Sequence, residues 1–72
     1  MKKILRTKLK EYRINLGMSQ QDLGNLVDVR RETIIRLEKG EYNPSLQLAM
    51  DIAAIFHTTV ESLFFFEEMR SE

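Results

Sequence analysis

Apolar positions along the chain recur with the period of an α-helix in short blocks, separated by polar or glycine-bearing breaks. Leu9, Tyr12, Arg13 and Leu16 share a face, and Gly17 follows as a natural left-handed stop, which predicts a first helix over about residues 7–16. Leu23, Leu26 and Val27, spaced i, i+3, i+4, predict a second helix with one buried stripe. Ser19 is placed to cap its free amides, and Asp22 stands where a capping box wants an acid. Asp28 breaks the pattern, and a third helix is predicted from about Arg30 to Lys39, stopping at Gly40. A connection this tight forces the second and third helices to cross steeply.

Beyond Gly40, Tyr42-Asn43-Pro44-Ser45 reads as a loop, because Pro44 disfavours helical geometry at Asn43. Ser45 can then cap a fourth helix with Leu46, Ala49, Ile52, Ala53 and Phe56 as its buried stripe. Leu48, Met50 and Ile55 widen that stripe beyond what a small monomer needs. His57-Thr58 turns the chain, with His57 at the C-terminal cap, and Thr59 caps a short fifth helix through Val60 and Leu63. Three consecutive phenylalanines follow. As an extended segment, Phe64 and Phe66 face one way and Phe65 the other. A strand over residues 64–68, antiparallel to residues 2–5, would bring Glu67 and Glu68 near Lys2 and Lys3. The aromatic surface left over, together with Leu48 and Ile55, is the expected dimer seam: Leu48, Ile55, Phe64, Phe65 and Phe66. A frayed apolar tail is the alternative. The pattern as a whole predicts one domain over residues 1–72, all-α with five helices and a small terminal two-stranded β-ribbon.

Composition narrows the function. Seventy-two residues bury only a modest core, and without cysteine neither a disulfide nor a thiolate metal site can support it. Association with a second copy is one remaining route to stability. No apolar run approaches the roughly 18 residues of a membrane span, and no apolar stretch follows the N-terminal lysines as a secretory signal requires. A cytoplasmic protein is expected. With a single histidine and no cysteine there is no metal cluster, and the serines lack a base partner in the sequence pattern. No catalytic residue, cofactor or small-molecule substrate is therefore expected, and the chain does not read as an enzyme.

Net charge is zero, which at first argues against a polyanionic partner. Its distribution reverses that. Lys2, Lys3, Arg6, Lys8, Lys10 and Arg13 face only Glu11 in the first quarter, whereas residues 41–72 set Arg70 against Glu41, Asp51, Glu61, Glu67, Glu68 and Glu72. The chain is a charge dipole and can turn a basic face to DNA while its acidic end stays away. On a wheel of about 100° per residue with Arg30 at zero, Ile34 and Leu37 mark the core side of the third helix. Arg31, Ile35, Glu32 and Arg36 then share the outward face, at roughly 100°, 140°, 200° and 240°. Such a set suits a helix in a major groove: arginine bonds guanine O6 and N7, glutamate accepts from cytosine N4, and an aliphatic group touches a thymine methyl. A solvated ion-pair face with one stray isoleucine fits the same four residues.

The run Ser19-Gln20-Gln21-Asp22-Leu23-Gly24-Asn25-Leu26-Val27-Asp28-Val29-Arg30-Arg31-Glu32-Thr33-Ile34-Ile35-Arg36-Leu37-Glu38-Lys39-Gly40 resembles the helix-turn-helix of phage-repressor regulators of the Cro/cI (Xre-like) type. The likeness extends over about residues 8–64. The nearest in kind are the short stand-alone, cytolysin-repressor-like members. The resemblance implies a helix-turn-helix at 19–39 and base reading by Arg31, Glu32 and Arg36 with Ile35 nearby. It also implies phosphate contacts from Gln20 at the start of helix 2, and from Lys39, Tyr42 and Asn43 after helix 3. It further implies a structural ion pair between Arg13 and Glu38. Arg30 stands where a small hydroxyl residue often caps helix 3, and could instead reach a phosphate. Gly24 replaces a usual alanine, and Asp28 a usual glycine. The function implied is a transcriptional repressor binding double-stranded DNA at a palindromic operator as a homodimer. An antitoxin-like protein that chiefly binds a partner protein is the rival reading, and a purely structural helical module the third.

Overall fold

The computed structural model describes residues 2–69. The order of elements is β1 (Lys3–Thr7), α1 (Leu9–Asn15), α2 (Gln20–Val27), α3 (Arg31–Glu38), α4 (Leu46–Ile55), α5 (Val60–Leu63) and β2 (Phe64–Glu68). The described residues are thus mostly helical, with five helices and one small antiparallel ribbon.

Three of the helices, α2, α4 and α5, begin at an N-cap side chain that satisfies a free amide. Ser19 accepts from the Asp22 amide and Asp22 accepts from the Ser19 amide, a complete capping box. Ser45 Oγ accepts from the Leu48 amide, and Thr59 Oγ1 from the Ser62 amide. The first four helices end at left-handed residues: Gly17 after α1, Asp28 after α2, Gly40 after α3 and His57 after α4. The first helix starts later than its sequence predicts, because β1 runs on through Thr7 and its hydroxyl accepts from the Leu9 amide at 3.0 Å.

One core serves all these elements. Leu9, Leu23, Ile34, Leu37, Ile52 and Leu63 are completely buried, each stabilising the fold by about 1.5–3 kcal/mol relative to an exposed side chain. Tyr12 and Phe56 stack obliquely, with ring centroids 5.9 Å apart, and fasten α1 to the end of α4. Three leucines expected in the stripes lie outside. Leu16 falls beyond the last turn of α1, Leu46 is the first residue of α4, and Leu26 lies on a side of α2 that no other element covers. Met50, expected to widen the α4 stripe, is also exposed.

The antiparallel ribbon forms with its second strand at the expected 64–68, whereas the first runs over Lys3–Thr7 rather than residues 2–5: Lys3 pairs with Glu68, Leu5 with Phe66 and Thr7 with Phe64. Phe64 and Phe66 share a face, but only the end nearest the helices is covered, so Phe64 joins the core and Phe66 stays exposed. The charge pairing differs from expectation. Glu67 reaches diagonally to Arg6 at 3.2 Å rather than to a lysine, and Glu68 stands opposite Lys3. Both members of the Arg6–Glu67 pair are more than half exposed, so the contact is worth about 0–1 kcal/mol. The Lys8 amide donates to the Leu63 carbonyl at 2.9 Å, tying the start of α1 to the end of α5.

Two of the expected seam residues belong to the core instead. Leu48 and Phe64 are core residues, 8% and 7% exposed, and the single chain already covers them. Ile55 is half-buried against the same core, leaving Phe65 and Phe66 as the exposed aromatics of that set.

Candidate nucleic-acid interface

The tight turn between α2 and α3 is built around two backbone requirements. Asp28 takes φ 60°, ψ 45°, so its amide donates back to α2, and the Val29 amide also bonds the Gly24 carbonyl at 2.9 Å. At Gly24 a Cβ would stand 2.7 Å from the Val29 carbonyl oxygen, so only glycine lets the turn fold back this closely. Arg30 then occupies the N-cap of α3 in extended geometry with no side-chain capping bond, which leaves its guanidinium exposed and available.

Ile34 and Leu37 anchor α3 in the core with no exposure at all. Their burial turns Arg31, Glu32 and Arg36 outward, all exposed, with Ile35 half-buried at the border of that face. Lys39, Tyr42 and Asn43 follow, all exposed, in the loop after α3. The Glu41 amide folds back on the Arg36 carbonyl at 2.9 Å and the Gly40 amide on that of Leu37, fixing the path of this loop.

Behind the face lies a buried charged cluster. Arg13 donates to Glu38 through two nitrogens, Nε to Oε2 at 2.6 Å and Nη2 to Oε1 at 3.1 Å. Its third nitrogen, Nη1, donates to the Met18 carbonyl at 2.8 Å. Gln20 Nε2 completes the cluster by donating to Glu38 Oε1 at 3.1 Å. The Arg13 and Glu38 side chains are only 10% and 6% exposed. Hydrogen bonding to the Glu38 carboxylate holds the Arg13 guanidinium above its ordinary pKa, outweighing the burial that opposes it. The cluster connects α1, the start of α2 and the end of α3, so the angle of α3 is set from behind.

Two features were not legible from residue spacing. An open groove of about 600 Å³ runs between α1 and the α2–α3 pair, and Lys10 lines it with Arg13, Ser19, Gln20, Gln21 and Arg31. In the sequence Lys10 reads only as part of a basic N-terminal stretch. Secondly, the Arg36 guanidinium carbon sits 5.8 Å from the centroid of the Tyr42 ring, a cation–π contact across the loop. Among the described residues, no group of three or more His, Asp or Glu side chains gathers to hold a metal ion.

The helix-turn-helix family model matches residues 9–63, which include the ion pair, the turn and the outward face. The chain belongs to the Cro/cI-type helix-turn-helix family. Its relatives include an uncharacterised helix-turn-helix transcriptional regulator of Archaeoglobus fulgidus, 52% identical over 64 residues, covering 89% of this chain and 91% of the relative. An uncharacterised regulator of the same type from Bacillus subtilis is 44% identical over 64 residues, covering 89% and 97%. Among solved structures, a hypothetical transcription factor from Neisseria superposes with a TM-score of 0.68 at 22% identity, a likeness of fold. That match covers 75% of this chain, which spans only 61% of the Neisseria chain.

Within this helix-turn-helix framework the unusual residues are accommodated locally. Asp28 adopts the left-handed geometry that glycine would, and Gly24 fits a contact too close for alanine. Gln20 gives one amide hydrogen to Glu38, and its second has no acceptor among the described residues.

Proposed function

We propose that the protein is a sequence-specific DNA-binding repressor that acts as a homodimer on a palindromic operator, with α3 of each copy in the major groove. The observation that carries this reading is the outward face of α3, where Arg31, Glu32 and Arg36 are exposed and Ile35 borders them. Arginine edges suit guanine, a carboxylate suits cytosine and an aliphatic group suits thymine. Gln20, Arg30, Lys39, Tyr42 and Asn43 would grip phosphates on either side, with Lys10 added from the groove. Two copies would read half-sites about 34 Å apart. Phe65 and Phe66, with the half-buried Ile55, would supply the seam between copies. Repression would follow from occlusion of polymerase in the cytoplasm. No catalytic step, cofactor or small-molecule substrate enters this reading.

Selection of bound sequences from random duplexes tests it directly. The expected winners share a two-fold repeat. Chemical-shift mapping with the selected duplex should move Arg31, Glu32, Ile35 and Arg36; a complex that left all four unperturbed would overturn the assignment. Sedimentation equilibrium tests the dimer, which Phe66→Ser should weaken. The exposed Phe65 and Phe66 also favour a second reading, an antitoxin-like protein that chiefly binds a partner protein. Co-purification of a second small protein, with no sequence selected from random duplexes, would support that instead.

A further inference from the structure

Arg36 has a natural partner on its own helix. Glu32 lies one turn earlier, with the acid N-terminal to the base, the favoured order for a helical ion pair. The structure does not use it: among the described residues Arg36 forms no ion pair and donates no side-chain hydrogen bond. Its guanidinium instead lies 5.8 Å from the Tyr42 ring centroid. The loop that carries Tyr42 is held at the two residues that precede the ring. The Glu41 amide is bonded to the Arg36 carbonyl itself, and Gly40 packs so closely on β1 that a Cβ there would stand 2.6 Å from the Leu5 carbonyl oxygen.

The geometry points to Tyr42 as the positioning residue for Arg36, holding that arginine for base reading through its ring rather than contacting DNA through its hydroxyl alone. A cation–π contact engages the charge and consumes no N–H group, so all five guanidinium donors stay free for a guanine edge. An ion pair to Glu32 would occupy the donors of one residue and the acceptors of the other, disabling both as base readers. Tyr42 therefore keeps Arg36 apart from Glu32 on the α3 face. It also reduces the rotamer freedom that a long exposed arginine loses on binding. This inference rests on Arg36 reading a base.

The test compares Tyr42→Phe and Tyr42→Leu, using the duplex recovered by selection and a scrambled duplex of equal length. Tyr42 is 40% exposed, so each variant should fold, and a thermal melt of each checks this. Tyr42→Phe keeps the ring and should retain the discrimination ratio between the two duplexes. Tyr42→Leu should lower that ratio about two- to fivefold, the span expected of an exposed cation–π contact, while leaving the salt dependence of binding unchanged. In an Arg36→Ala background, Tyr42→Leu should have no further effect on the ratio. If Phe fails as badly as Leu, or Leu leaves the ratio intact, Tyr42 acts through its hydroxyl or not at all and the positioning role is wrong. If Arg36→Ala itself leaves the ratio intact, the fault lies with the base-reading assignment.

Discussion

Glu38 accepts three hydrogen bonds inside the protein, two from Arg13 and one from Gln20. Charge in so enclosed a position stabilises only while its partner is present. Glu38→Ala should therefore cost about 3–5 kcal/mol in urea denaturation, because it strands the Arg13 guanidinium. A double replacement, Arg13→Met with Glu38→Leu, should recover much of that loss, since it removes both charges. A double variant as unstable as the single would mean that the cluster contributes through shape rather than charge. On the outer side of the same helix the energetic logic is reversed. Arg36 is exposed and contributes little to folding. Arg36→Ala should leave the melting temperature nearly unchanged, weaken binding to the selected duplex by about 1–3 kcal/mol and relax preference at one base pair. An equal loss on every duplex would show that Arg36 contacts phosphate only.

At the scale of elements, the loop between α3 and α4 depends on Gly40. Its φ of 72° is unfavourable for a side chain, and a Cβ would also meet the Leu5 carbonyl of β1 at 2.6 Å. Gly17 provides the control, with φ 64° and nothing within 4 Å of a Cβ. Gly17→Ala should cost on the order of 1–2 kcal/mol from backbone geometry alone. Gly40→Ala should cost measurably more by thermal denaturation, and equal costs would show that β1 moves aside freely. The start of α2 carries a pH signature. Backbone and side-chain hydrogen bonds from Ser19 lower the Asp22 pKa below the ordinary carboxylate range. A depressed pKa means that this stabilisation is complete above the unfolded value and is lost as pH falls through the folded one. Asp22→Asn should thus lower the melting temperature at neutral pH, and the difference from wild type should shrink under acid.

For the whole molecule, the arrangement of charge matters more than its zero sum. The basic first quarter supplies Lys10 to the groove beside α2, while Arg30, Arg31, Arg36 and Lys39 belong to the turn and to α3. Binding to DNA should therefore weaken steeply with salt despite the neutral net charge, by about 0.9 log units per log unit of salt for each phosphate neutralised. Lys39→Ala should weaken binding on all duplexes alike and reduce the slope by about one per bound copy. A flat salt dependence would favour the partner-protein reading. The acidic β2 lies against basic β1, so part of the N-terminal charge is balanced within the ribbon, notably at Arg6.

Local chemistry was enough to read the elements. Helical periodicity, the caps at Ser19, Ser45 and Thr59, and left-handed stops at Gly17 and Gly40 are each decided within a few residues, as is the strand alternation through Phe64–Phe66. The ion pair of Arg13 with Glu38 came from resemblance, and its burial is a product of packing. Which leucines lie inside was decided only by the fold: Leu26 and Leu48 look alike in pattern, yet one is 60% and the other 8% exposed. Burial depends on what stands opposite a face, and that is settled by elements distant in sequence. The same holds for the Arg6–Glu67 diagonal and for the groove beside Lys10, which exist only once the chain's ends and its helices have met.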